Sequence, residues 1–204
     1  MSFSVLRRAV WLVLAAALGA ASCAAALARH QPTPPPVLSS SDIGFAQDMS
    51  THHQQAVTMT DMLATDSTPD VKALAEQIRV TQLNEIGQMT GWLQLAGAPP
   101  TSAHPMAWMS DADHHDTGHQ PVSMPGMASA QELERLQNSV GAANQTQFLH
   151  LMIRHHQGGI DMAAHAFRHS TNDAVRRTAS IMVDEQTQEV QLMAVMLDQH
   201  QENK

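Results

Sequence analysis

FAQDMSTHHQQAVTM at residues 45–59 and FLHLMIRHHQGGIDM at residues 148–162 are two versions of one segment, and their relation decides the fold. Phe45, Met49, His52, His53, Gln54 and Met59 fall on Phe148, Met152, His155, His156, Gln157 and Met162 at a constant offset of 103 residues. The same register carries Ser67, Thr68 and Asp70 onto Ser170, Thr171 and Asp173. Further on, Gln82, Glu85, Ile86, Met89 and Leu93 match Gln186, Glu189, Val190, Met193 and Leu197 at an offset of 104, which a one-residue insertion explains. At 100° per residue, Met49, His52, His53, Ala56, Met59 and Leu63 share one helical face, and Met152, His155, His156, Gly159, Met162 and Ala166 share its counterpart. The face that must pack inward therefore carries the histidines.

Each repeat is a helical hairpin. In the first, helix-period spacing runs from Asp42 to about Ala96 and breaks once at Ser67-Thr68-Pro69-Asp70, with Thr68 placed as an N-cap and Pro69 at the first helical position. In the second, the pattern returns from Asn144 and breaks at Ser170-Thr171-Asn172-Asp173. Between them, GAPPTSAHPMAWMSDADHHDTGHQPVSMPGM (97–127) has no sustained period and reads as a loop, after which Ser129-x-x-Glu132 is a capping box opening a short helix to about Val140. Two duplicated hairpins bury their apolar stripes most simply against each other. The expectation is an all-α four-helix bundle over 42–200, with repeat one at 42–96, a long central loop at 97–128, a short helix at 129–140 and repeat two at 144–200.

Of the 204 residues 43% are apolar, enough to bury a core, yet only 3% are aromatic and Tyr is absent. Met (14) and His (13) are both in excess, so the core is aliphatic and thioether-rich. A net charge of −8 offers nothing to nucleic acid. Arg7 and Arg8 followed by the apolar run Ala9–Ala20 read as a signal peptide over 1–22, so the chain is expected to be exported. Cys23, the sole cysteine, follows Ala20-Ala21-Ser22 where a bacterial lipobox places the cysteine that is lipidated, giving a membrane anchor; cleavage after Ala26 or Ala28, or retention of the apolar run, are the alternatives. Residues 23–41 include RHQPTPPPVLSSS, an extended Pro/Ser-rich tether.

The paired histidines carry the chemistry. The stripe of the second long helix includes Ile78, Gln82, Glu85, Met89 and Trp92, and that of the fourth Met182, Gln186, Glu189, Met193 and Met196, so each half offers imidazole, thioether and one carboxylate to the interior. One reading makes the histidines structural, hydrogen-bonded to Glu85, Glu189, Gln82 and Gln186. The other makes them metal ligands, since four buried imidazoles need many partners and an unpaired buried polar group costs roughly 1–3 kcal/mol. Adjacent side chains diverge by 100°, so at most one histidine of each pair is expected to face a shared centre squarely. Imidazole with thioether suits copper, Cu(I) above all. A di-iron bundle needs inward carboxylates and Glu-x-x-His motifs, of which the chain has none, and zinc on His with Glu85 or Glu189 is a lesser alternative.

The central loop is a second candidate metal site through His104, Met106, Met109, His114, His115 and His119, accompanied by Asp111, Asp113, Asp116, Met124 and Met127. Asp61, Met62, His165 and His169 lie off the inward faces and suit surface roles. The chain has no Gly-rich phosphate loop, no thiol nucleophile once Cys23 is set aside and no strand-to-helix Ser motif, so no catalysis is expected. A metal-dependent oxidase and an envelope interaction protein with structural histidines are the competing functions.

The two motifs, Phe45-x-x-Asp48-Met49-x-x-His52-His53-Gln54-Gln55-Ala56-Val57 and Phe148 to Ala163, together with Met124-Pro125-Gly126-Met127-Ala128-Ser129, resemble the CopM-like domain-of-unknown-function family of bacteria over about Ile43 to Gln199. The resemblance implies a ferritin-like four-helix bundle, export, and in some members copper binding and copper resistance. It implies Met49, His52, His53, Met59, Met152, His155, His156 and Met162 as metal-binding residues; the helix stripes, independently of the resemblance, set Glu85 and Glu189 behind them. The chain departs from the family at Asn144-Gln145, where members commonly carry Phe-Asp.

Overall fold

The computed structural model describes residues 37–109 and 123–202. The signal segment, Cys23 and most of the tether, as well as His114, His115 and His119, lie outside the described residues. The chain forms α1 (Ser40–Asp61), α2 (Pro69–Leu95), a 3-10 turn (Ala107–Met109), α3 (Ala130–Asn138), α4 (Gly141–His169) and α5 (Asp173–Glu202). The fold is all-α: α1 packs along α2, α4 along α5, and the two hairpins meet chiefly through α1 and α4.

Local chemistry sets the ends of these helices. Ser39 caps α1 through a full capping box with Asp42, so the helix starts inside the segment read as tether. Ser129 and Glu132 form the box expected at the start of α3. Pro69 opens α2, but Thr68 makes no side-chain cap; its hydroxyl is turned to Gln145 Oε1 at 3.2 Å instead. α2 ends in a Schellman motif, with Gly97 at φ +64°, Ala98 N–H donating to the Leu93 carbonyl and Gly97 N–H to that of Gln94.

The helices bury two apolar clusters. One gathers Ala56, Met59, Ile78, Leu136, Phe148, Met152, Met193 and Leu197; the other gathers Phe45, Met49, Met89, Leu93, Met106, Met162, Val175 and Met182. Met49 shares a cluster with Met162 and Met59 with Met152, so the order along α1 is reversed along α4, as in an antiparallel pair. The histidines occupy the waist between the clusters.

The duplication is also visible at the hairpin turns. Asp42 on α1 reaches the second turn, where its carboxylate accepts from Ser170 Oγ at 2.5 Å. Gln145 on α4, its counterpart, reaches the first turn and accepts from Thr68 N–H at 2.8 Å. Asn144 adds three bonds, accepting from Ala64 N–H and donating to the carbonyls of Met62 and Leu136. The start of the second motif is therefore fastened by two buried amides in place of Phe-Asp.

Candidate metal centre in the bundle interior

His52, His53, His155 and His156 are all fully buried. The 100° divergence of neighbours sends the members of each pair to different places. His52 and His155 stack across the α1–α4 contact, with ring centroids 3.8 Å apart. His53 and His156 each turn to the second helix of their own hairpin, where Nε2 lies 2.8 Å from a carboxylate oxygen of Glu85 and Glu189 respectively. The His156–Glu189 contact is an aligned hydrogen bond; the His53–Glu85 contact has the distance without the alignment.

The Nε2 atoms of the stacked rings face carbonyl oxygens: His52 faces Pro125 O at 3.1 Å and His155 faces His52 O at 3.1 Å. A carbonyl only accepts, so Nε2–H donates and the lone pair of each ring sits on Nδ1. His156 donates to Glu189 in the same sense. Nδ1 of all four rings is buried without a hydrogen-bond partner. An outer N–H held by a carbonyl or carboxylate, with the inner nitrogen bare, is the arrangement by which proteins orient metal-binding imidazoles.

Burial dominates the electrostatics. It pushes His52 and His53 down to about 3, helped for His52 by His53 and for His53 by His156, and it holds His155 well below the usual histidine range. These rings are neutral at physiological pH, the form that binds metals. Burial, reinforced by the charge of Glu189, raises Glu85 to about 7. Gln77 donates to Glu189 Oε1 at 3.3 Å, and a cleft of about 270 Å³ lined by Gln77, Thr81, Glu185, Gln188, Glu189 and Leu192 opens from solvent toward this carboxylate.

Met49, Met59, Met152 and Met162 are fully buried and flank the histidines from opposite sides. Gln82 and Gln186 are buried too, yet Gln82 Oε1 and both polar atoms of the Gln186 side chain have no partner; they are not the histidines' hydrogen-bond partners. Among the described residues, no group of three or more His, Cys, Asp or Glu side chains is arranged to hold an ion. Of the loop candidates within the described residues, His104 is exposed, whereas Met106 and Met109 pack in the second apolar cluster.

A non-repeated element closes over the stacked rings. Met124–Ala128 crosses α1 and α4 as a strap, held by Gln55, whose amide donates to Ala128 O at 2.9 Å and accepts from Ala128 N–H at 2.6 Å. Gly158 admits it, because a Cβ there would overlap the Pro125 carbonyl. A second clasp ties Met106 and the 3-10 turn to α1: Asp48 Oδ2 accepts from Met106 N–H at 2.6 Å and from Trp108 Nε1–H at 2.9 Å. Sequence reasoning missed Asp48, Gln55, Pro125 and Gly158 as site-shaping residues. The available signal was where the repeats disagree, Asp48 against Leu151 and Gln55 against Gly158.

Comparison with known proteins places this architecture. A secreted-type DUF305 protein from Streptomyces coelicolor is 38% identical with a TM-score of 0.70, covering 79% of this chain and 92% of that one. A DUF305 fragment from Deinococcus radiodurans is 28% identical with a TM-score of 0.65, covering 81% and 99%. CopM in its Cu(I)-bound form shares the fold at 24% identity, with a TM-score of 0.59 and coverage of 78% and 96%. No functionally curated protein matches the sequence. Residues 42–197 match the model of DUF305, a domain of unknown function, and the chain belongs to that family.

Proposed function

We propose that the protein is an exported, non-catalytic copper-binding protein that holds Cu(I) in the bundle interior between consecutive histidines, His52 with His53 and His155 with His156. The observation that carries this reading is the set of four buried Nδ1 atoms without partners, each on a ring whose opposite nitrogen faces an oxygen. The spacing within each pair supports it. An imidazole nitrogen lies about 1.1 Å from its ring centre, and first-row ions bind it at about 2 Å, so two rings sharing one ion in line have centres roughly 6 Å apart. Both consecutive pairs have centroids 6.3 Å apart. Two-coordinate binding by neutral imidazoles in a dry, thioether-lined interior favours a soft monovalent ion over zinc, which takes four ligands.

The relative CopM takes Cu(I) on the same fold. Ligands buried in the bundle interior suit buffering or hand-over of copper in the cell envelope, with Cys23 as a lipid anchor. Zinc or iron fits this ligand set less well. The alternative is a structural role for the histidines in an interaction protein, favoured by the aligned His156–Glu189 bond.

Competition titration of Cu(I) separates the two. The parent chain is expected to bind two ions, and the variant with His52, His53, His155 and His156 changed to Ala none in the interior. A structural role instead predicts that the variant is less stable without metal while copper does not raise the parent's melting temperature.

A further inference from the structure

An ion held among fully buried histidines has to cross the protein to reach them, and the waist of the bundle has two sides. On the side of the stacked rings the strap lies over His52, whose Nε2 faces Pro125 O at 3.1 Å, and Gln55 fastens the strap by two hydrogen bonds. On the side of the His–Glu contacts, the cleft of about 270 Å³ between α2 and α5 opens to solvent. Glu189 forms part of its wall, while Oε2 of the same carboxylate accepts from His156 at 2.8 Å. One buried side chain thus joins the cleft to an interior imidazole. Its other oxygen accepts from Gln77, an exposed side chain, over 3.3 Å.

The opening is acidic. Glu185 stands exposed in the cleft wall, and partial burial, then the charges of Glu85 and Glu189, hold its carboxyl above the usual carboxylate range. Three carboxylates that act on one another this way focus a negative field on the mouth, which gathers cations there. The repeats disagree at this point: at the 104-residue offset Glu185 falls on Thr81, which lines the same cleft. One turn before Glu85 and Glu189 on the inward stripes, Gln82 Oε1 and both polar atoms of Gln186 are buried without partners. Such atoms have lost water and gained nothing in return, so they can receive an ion on its way inward.

We propose that this cleft is the port by which copper enters and leaves the bundle, with Glu185 collecting the cation at the mouth and Glu189 as the movable group at the neck, a route that rests on the reading that the interior holds Cu(I). Lifting the strap breaks three hydrogen bonds, two of Gln55 and one of His52. Moving Glu189 aside breaks two, those with Gln77 and His156, and turns the carboxylate toward solvent, where its charge is hydrated. The cleft is therefore the easier way in.

Exchange kinetics of the full chain test the port. Uptake is followed with Cu(I) supplied as its acetonitrile complex, and release by mixing the loaded protein with excess chromogenic chelator. Gln188→Trp, at an exposed residue of the cleft wall, plugs the mouth without changing charge. Uptake and release should both slow by roughly tenfold or more, with stoichiometry and helicity retained and affinity within about twofold, because a barrier raised at the mouth slows both directions alike. Glu185→Lys should slow uptake by roughly tenfold. Glu134→Lys, exposed on α3 and outside the cleft lining, should leave it unchanged. In metal-free protein, Gln188→Trp should also slow solvent exchange of the His156 ring proton, read by NMR, without slowing that of His52 under the strap. If the parent loads copper and both cleft variants exchange it within about twofold of the parent, the port is overturned and the interior site stands. A parent that takes up no Cu(I) overturns the interior site and the port with it.

Discussion

In the second hairpin, His156 and Glu189 form an aligned hydrogen bond at 2.8 Å; in the first, His53 and Glu85 reach the same distance without alignment, and Glu85 is raised to about 7. The stacked histidines differ as well. His155 donates to a carbonyl on the partner repeat, whereas His52 donates to Pro125 on the strap, an element that occurs once. Gln55 grips that strap from α1, while its counterpart Gly158 on α4 has no side chain so that the strap can lie down. A duplicated motif thus yields two non-equivalent halves. Two hairpins packed face to face share one connection, and a single connection cannot serve both alike.

Acid stability is where both halves should show the largest effect. His52 and His53 sit near 3 and His155 well below its usual value, so near pH 6.5 and below the unfolded chain takes up protons that the native protein refuses. The stability they contribute is complete above the unfolded value and is lost as pH falls from there toward 3. Glu85 acts in the opposite sense: raised from 4.5 to about 7, it holds a proton that the unfolded chain releases, so its contribution is present below 4.5 and lost as pH rises through 7. Three groups outweigh one, and the urea midpoint of metal-free protein should be clearly lower at pH 5 than at pH 7. Equal midpoints would contradict buried neutral imidazoles. Glu85→Gln should leave the acid loss in place and remove the opposing trend.

The two His–Glu contacts can be compared directly at pH 7. His156→Ala strands a buried carboxylate and should cost about 3–5 kcal/mol. His53→Ala leaves Glu85, which can take up a proton, and should cost about 1–3 kcal/mol. Both variants remove the same ring, so the difference isolates the carboxylate. Denaturant titrations giving the reverse order would sink the inequivalence of the halves.

A smaller effect tests the strap. Gly158→Ala places a methyl group into the Pro125 backbone and should destabilise by about 1–3 kcal/mol, whereas Gly91→Ala, which meets nothing within 4 Å on α2, should stabilise by about 0.5–1 kcal/mol. If the two substitutions moved the thermal midpoint in the same direction, the close approach of strap and helix would be wrong.

Much of this was legible before any coordinates. The 103-residue repeat and its helical period dictate two hairpins with inward histidines, and a periodic apolar stripe has only one stable use, burial against another such stripe. Ser129 and Glu132 announced α3 because a capping box is local chemistry, whereas Ser39 was hidden in a serine run that hydropathy could not resolve. Asn144 and Gln145 looked like a lapse in the motif, but they bond across 80 and 77 residues to the first turn, a distance no local pattern encodes. The interior donors were likewise visible as residue types. Which nitrogen of each ring is free was not, since Pro125 O, His52 O, Glu85 and Glu189 reach the rings only once both hairpins and the strap are packed. Periodicity, being local, determined the elements and the residues they turn inward; the tautomers, the pairing and the asymmetry of the halves arise from contacts between segments far apart in the chain, and only tertiary structure decides those.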